Sequence, residues 1–217
     1  MEITIKNNWD EITWREYEQI EQILNTDIPS DYKAVHLVSV LTGKSVDEIE
    51  KLTVPQFTKL AEHLKFLETE PETHTHQFEY TVNGREYTFT GEIENITTAQ
   101  YVDYRTYMSK EEKDIVELMS VFLIPKGHDY NDGYDMQQVK SDIGDMCWLD
   151  IRAASFFFRI WLSCYTLILK SSLVKAMKKT MKGKTFKEKT EIKKQIQELE
   201  ESFNNSASSL LSVASVN

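Results

Sequence analysis

His74 and His76, two apart in the run Thr-His-Thr-His, are the first residues whose type and spacing could do chemistry. Imidazoles are ready metal ligands, but a helical zinc pair needs i, i+4 spacing, and no cysteine lies near them in the chain. The other histidines, at 36, 63 and 128, are scattered, so a zinc site is not expected. Asp129-Tyr-Asn-Asp-Gly-Tyr-Asp135 offers oxygen atoms that calcium favours. An EF-hand loop needs glycine at its sixth position and an acid at its twelfth. Here Gly133 is fifth and Lys140 is twelfth, which leaves a solvent-exposed turn as the expectation. Cys147 and Cys164 stand in apolar runs, where a thiol behaves as a small core side chain. Two cysteines cannot form a disulfide scaffold or a four-thiolate zinc site. No serine sits in a nucleophile elbow and no glycine-rich loop could cradle a phosphate. The expectation is a non-enzyme with no catalytic residue, no cofactor and no metal.

Charge is more informative than these motifs. Residues 1–124 hold eleven basic and 24 acidic side chains, net −13, whereas residues 170–194 hold ten lysines and two glutamates, net +8. Lys175, Lys178, Lys179 and Lys182 are spaced i, i+3, i+4 and i+7, which one helix would gather on one face. Such a face can grip nucleic-acid phosphates or meet an acidic protein surface. The hairpin aromatics described below are interleaved with Glu79, Glu86, Glu92 and Glu94, with Arg85 as their cation, so a stacking platform for single strands is disfavoured. The lysine face is therefore assigned to a protein partner, and sequence-specific nucleic-acid binding is not expected.

The elements that must position these groups are legible from periodicity and caps. Met1–Lys6 alternates apolar and polar residues, as a short strand does. Thr13-Trp-Arg-Glu16 and Ser45-Val-Asp-Glu48 are capping boxes, Thr53-Val-Pro-Gln56 opens a helix with proline in its first turn, and Ser109-Lys-Glu-Glu112 reads as a further box. Asp31–Thr42 forms a helix stopped by Gly43, and Phe57, Leu60, Leu64 and Leu67 form the apolar face of the helix that Thr53 opens. Asn83-Gly84, between the aromatic runs from His76 and to Gly91, is the signal of a β-hairpin. A lone hairpin is marginal in water, so a third strand is expected from residues 1–6, from Glu92-Ile93 or from a partner.

Helices resume at Thr97 or Thr98, again before Pro125, and over Met136–Met146. Residues 153–169 are the most apolar run, too short to span a bilayer and interrupted by Arg159, hence a covered helix rather than a membrane segment. A charged helix follows from about Lys187 to Phe203, and residues 204–217 form a serine-rich tail carrying Leu210, Leu211, Val213 and Val216. The fold class is mainly α (α+β): a helical domain over 1–169 with a hairpin insertion at 76–91, a lysine-rich helical extension over 170–203, and a docking tail over 204–217. With 41% apolar residues the chain can build a core, and seven glycines and four prolines are too few for a loop-rich sandwich. The opening Met-Glu-Ile-Thr-Ile lacks a basic-then-apolar leader, which implies a reducing cytosol as the place of synthesis.

Two stretches carry a family resemblance. Asp31-Tyr-Lys-Ala-Val-His-Leu-Val-Ser-Val-Leu-Thr-Gly-Lys-Ser-Val-Asp-Glu-Ile-Glu-Lys-Leu52 resembles the helix, Leu-Thr-Gly turn and short helix of small morphogenesis proteins of tailed bacteriophages. Ile96-Thr-Thr-Ala-Gln-Tyr-Val-Asp-Tyr104, running on to Met119-Ser-Val-Phe-Leu-Ile-Pro125, is similar to a second segment of those proteins, and the hairpin between also fits. Within that group the likeness is to neck and tail structural proteins of crAss-like phages, and tail-assembly chaperones share the texture. The resemblance covers roughly residues 15–170. It implies a structural subunit of the virion, a homo-oligomeric ring that contacts portal and tail proteins in the neck. The alternative it leaves open is a tail-assembly chaperone that does not stay in the particle.

The tail generates the first prediction. Each of Leu210, Leu211, Val213 and Val216 gains about 1.5–2 kcal/mol if covered, while ordering the backbone costs about 1–2 kcal/mol per residue. Docking therefore needs backbone hydrogen bonds to another chain. Deleting 204–217 is expected to leave the circular dichroism of the subunit unchanged and to lower its incorporation into particles, read by mass spectrometry.

Overall fold

The computed structural model describes residues 3–90, 96–111, 114–181, 188, 190 and 192–197, with side chains except those of 158–170, 172, 173 and 176. The chain divides into two compact units, Met1–Ala154 and Ser155–Asn217. Among the described residues helix dominates, and one small antiparallel sheet accompanies it, so the fold is mainly α with a minor β part.

In the first unit, α1 (Trp14–Asn25), α2 (Ser30–Thr42), α3 (Val46–Glu50) and α4 (Val54–Ala61) form the helical module. Their starts are set by side chains. Thr13, Ser45 and Thr53 each close a capping box with Glu16, Glu48 and Gln56, the first two as the sequence predicts. Gly43 ends α2 at a φ of 65°, a left-handed conformation that glycine adopts without a Cβ penalty. After Ala61 the helix tightens into a 3-10 segment, Glu62–Glu68, so Leu64 and Leu67 leave the α-helical register of Phe57 and Leu60. The core beneath this module joins Ile12, Ile20, Leu37 and Leu41 to Trp148 and Leu149. Around it Tyr17 stacks on Trp148 at 4.2 Å, and Trp9 meets Trp148 edge-on at 5.4 Å.

The hairpin forms as expected: β1 (Glu79–Val82) pairs antiparallel with β2 (Arg85–Phe89). Asn83 and Gly84 both have positive φ, 51° and 75°, the turn that matches the twist of the strands. Tyr80 lies opposite Tyr87, and Tyr80, Val82, Tyr87 and Phe89 are buried, while Phe78 stays half exposed.

The third strand is not where the sequence placed it. Residues 3–7 form no strand, and Lys6 N–H donates to Leu41 O at 3.1 Å. Glu92-Ile93 lies outside the described residues. The third strand is β3, Leu123–Pro125, paired antiparallel with β2. It follows directly on α6 (Ile115–Phe122), and at three residues it is too short to show an alternating pattern.

Between them runs α5 (Thr98–Met108), capped by a Thr97–Gln100 box. Gln100 is buried and its amide also donates to Thr90 Oγ1 and Val121 O, which ties the helix start to the sheet. The box at Ser109 does not form around that residue: its hydroxyl donates back to Thr106 O as the C-cap of α5. Asp114 caps α6 instead, accepting from Val116 N–H and Glu117 N–H. Residues 126–135 form turns, with Gly127 and Gly133 at positive φ, and α7 (Met136–Gly144) follows.

Helix α8 (Trp148–Thr180) begins in the first unit and includes the apolar run over 153–169. Among the described residues no helix is long and apolar enough to cross a membrane. In the second unit Val174 and Ile196 are buried, and residues 192–197 are helical. The expected helix from Lys187 to Phe203 otherwise falls largely outside the described residues, as do Glu112 and the whole 204–217 tail.

A backbone test follows from the turn. A Cβ at Gly84 would meet nothing within 4 Å, so only its φ of 75° resists a larger residue. Gly84→Val is expected to lower stability by about 1–2 kcal/mol, measured as a shift in urea midpoint at unchanged slope.

Candidate functional site

The partner-binding lysines expected from the sequence lie on the last turns of α8. Lys175, Lys178 and Lys179 are all exposed there, and the helix ends at Thr180. Lys182, Leu210, Leu211, Val213 and Val216 lie outside the described residues. Lysines in the last turn also suit the negative end of the helix dipole.

Two constellations in the first unit bring together residues that are far apart in sequence. The first centres on Asp142 of α7, a carboxylate only 1% exposed. Arg85 holds it with two N–H groups, Nε to Oδ2 at 2.7 Å and Nη2 to Oδ1 at 3.0 Å. Tyr87 donates its buried hydroxyl to Oδ2, Asn83 donates to Oδ1 at 2.9 Å, and Gln138 donates to Oδ1 at 3.2 Å. The Arg85 guanidinium, supported by Tyr87 and Asn83, holds the Asp142 carboxyl well below the usual carboxylate range against the opposing effect of burial. Burial, and then the bond to Asp142, pushes the Tyr87 hydroxyl up to about 12. Next to it Asp145 accepts from Asn83 at 3.1 Å and pairs with Arg15 of α1 at 3.2 Å. This is a clamp: both oxygens of the buried Asp142 carboxylate accept hydrogen bonds from the hairpin.

The second constellation forms where three segments meet. Trp14 N–H donates to Met146 O at 2.8 Å and Trp148 N–H donates to Ile12 O at 3.0 Å, which sets the start of α8 beside the N-terminal segment. Trp9 Nε1 donates to Thr69 O at 3.0 Å and so brings in the segment that carries His74. His74 Nδ1 lies 2.8 Å from Asp150 Oδ1 and its Nε2 lies 2.8 Å from Asp10 Oδ1. The bond to Asp150, followed by the bond to Asp10, raises the His74 pKa above its ordinary value although partial burial opposes this. Cys147 completes the group, partly buried, its thiol pushed up by burial while the N–H groups of Leu149 and Asp150 counter that rise. His76 stands apart from this group, in reach of the Tyr80 hydroxyl at 3.2 Å and edge-on to Phe89, with its pKa lowered by burial.

In the sequence His74 and Cys147 stand apart, and His74 and Asp150 are 76 positions from one another. The one local signal was Cys147 and Asp150 at i, i+3, which alone is common on any helix. In the 129–135 loop Asp129 N–H donates to the Asp132 carboxylate at 2.6 Å and Tyr130 donates to Asp103 at 2.6 Å, as in a hydrogen-bonded surface turn. Comparison with protein-family models, with curated proteins and with solved structures finds no match for this chain.

The clamp makes two linked predictions. Asp142→Ala leaves the buried Tyr87 hydroxyl without an acceptor, an expected loss of about 1–3 kcal/mol in urea unfolding. The folded carboxyl is the stronger acid, so its stabilisation is present above about pH 4, the ordinary aspartate range, and is lost as pH falls below it. Asp142→Asn is expected to flatten that part of the stability–pH curve.

Proposed function

We propose that this chain is a non-enzymatic structural subunit of a tailed-phage virion, one copy of a ring in the neck or tail that connects the portal to the tail. The observation that carries the reading is the separation of charge: exposed Lys175, Lys178 and Lys179 end a 33-residue helix in a chain whose first 124 residues sum to −13. A closed ring needs two different lateral surfaces on each copy, because heterologous contacts close only when one surface fits the other. Opposite charge on those surfaces sets register and speeds encounter.

The resemblance to phage morphogenesis proteins supports the same reading. Its first segment is α2, the Gly43 stop and α3; its second is α5, α6 and β3, on either side of the described hairpin sheet. Leu24, Tyr32 and Val54 add exposed apolar side chains on the first unit, available to a neighbouring subunit. In this reading the chain is made in the host bacterial cytoplasm and retained in the particle, with portal and tail proteins as its further partners.

Quantitative mass spectrometry of purified virions tests the reading. A ring subunit is expected at a fixed, stoichiometric ratio to the portal protein. Abundance in infected-cell lysate with absence from particles would instead identify an assembly chaperone. A charge-reversed chain carrying Lys175→Glu, Lys178→Glu, Lys179→Glu and Lys182→Glu is expected to self-associate about tenfold more weakly or worse, the equivalent of about 1.4 kcal/mol, in sedimentation velocity. Tight, steeply salt-dependent binding of DNA by the unmodified chain would count for the nucleic-acid use of these lysines.

A further inference from the structure

We propose that His74, Cys147 and Asp150 bind one divalent metal ion of the zinc class, with Asp10 orienting the histidine. One donor atom from each of the three residues lies within 4.8 Å of the others, a separation that a single ion can bridge. The donors are an imidazole nitrogen, a sulfur and a carboxylate oxygen. Magnesium and calcium take oxygen ligands, whereas zinc and its neighbours accept this mixed set.

The geometry prepares each ligand. Cys147 precedes α8 and Asp150 is its third residue, and their donor atoms converge with that of His74. The backbone bonds from Trp14 to Met146 and from Trp148 to Ile12 fix where that helix starts. The N–H groups of Leu149 and Asp150 donate to the Cys147 sulfur, which holds it at the start of that helix.

A neutral imidazole carries one N–H and one lone pair. Without metal, Nδ1 and Asp150 share a proton across 2.8 Å; with the ion bound, Nε2–H stays donated to Asp10 and Nδ1 offers its lone pair to the metal. A carboxylate behind the distal nitrogen of a metal-bound histidine is the usual outer partner that fixes its tautomer. Loading the ion releases to solvent the proton that Nδ1 otherwise shares with Asp150, together with the thiol proton. A cleft lined by Gln77, Tyr80, Met146, Cys147 and Asp150 gives an ion and a water ligand access. The ion would staple the His74 segment to the start of α8, and it stands independently of the ring reading.

The test uses the full chain, free of any tag and stripped with chelator, titrated with Co²⁺. The expected result is one equivalent bound, with a tetrahedral visible band and a sulfur-to-cobalt charge-transfer band, both discharged by Zn²⁺. Cys147→Ser should remove the charge-transfer band and weaken Zn²⁺ binding at least about tenfold, the scale of losing one ligand-shell group. Asp10→Asn should keep the spectrum and weaken binding by about 10–100-fold. Because a change at Cys147 could disturb the start of α8, the unaltered chain is also alkylated with and without Zn²⁺. Slower modification of Cys147, mapped by peptide mass, supports the site. Absence of a sulfur-ligated cobalt spectrum at stoichiometric metal, or a Cys147 alkylation rate indifferent to Zn²⁺, would overturn it and would leave the ring proposal standing.

Discussion

Asp142 places a carboxylate where water scarcely reaches it, and much of the first unit is arranged around keeping that charge satisfied. An unpaired buried charge is costly, so its partners cannot drift. Arg85, Tyr87 and Asn83 all come from the hairpin, while Gln138 and Asp142 itself come from α7. A hairpin alone would be marginal. Held by three of its own side chains on one buried acid, and by β3 along its other edge, it becomes a fixed platform. Asp145, three residues further on at the end of α7, passes the constraint through Arg15 to α1. The same short stretch then delivers Cys147 and Trp148 to the N-terminal segment, so clamp, aromatic core and the His74 group share one anchor.

What the sequence made legible and what it did not divides along a physical line. Local devices were readable because their chemistry sits within four residues: the boxes at Thr13 and Ser45, the helix opening at Thr53, the Gly43 stop, the Asn83-Gly84 turn. Where two local options compete, the pattern misled. Ser109 satisfies its hydroxyl on the helix behind it, and Asp114, with a carboxylate aimed at two free amides, takes the cap. The strand expected at the N-terminus loses its place because Leu123–Pro125 emerges from α6 already alongside β2. Asp142 itself reads as one more polar residue on an amphipathic helix. Only the fold reveals that it faces inward, and the same holds for the approach of His74 to Cys147 and Asp150.

The proposed role follows from shape and charge rather than from reaction chemistry. A ring subunit must present the same surfaces in every copy, which favours a platform fixed by a saturated polar cluster over one held by packing alone. In the proposed ring, the acidic first 124 residues of one copy would attract the exposed lysines of α8 on the next, and like faces would repel. Like-charge repulsion is as useful here as attraction, since it disfavours copies meeting through identical faces.

Ionic strength acts on this logic directly, because salt screens exposed charges over about 8–10 Å at physiological concentrations. The decisive measurement is the mass of the full-length, unmodified chain by light scattering across a series of salt concentrations. The account predicts a closed oligomer of one defined mass at low salt that falls to the monomer as salt rises. A chain that stays monomeric at every salt and protein concentration, or an oligomer indifferent to salt, would contradict it.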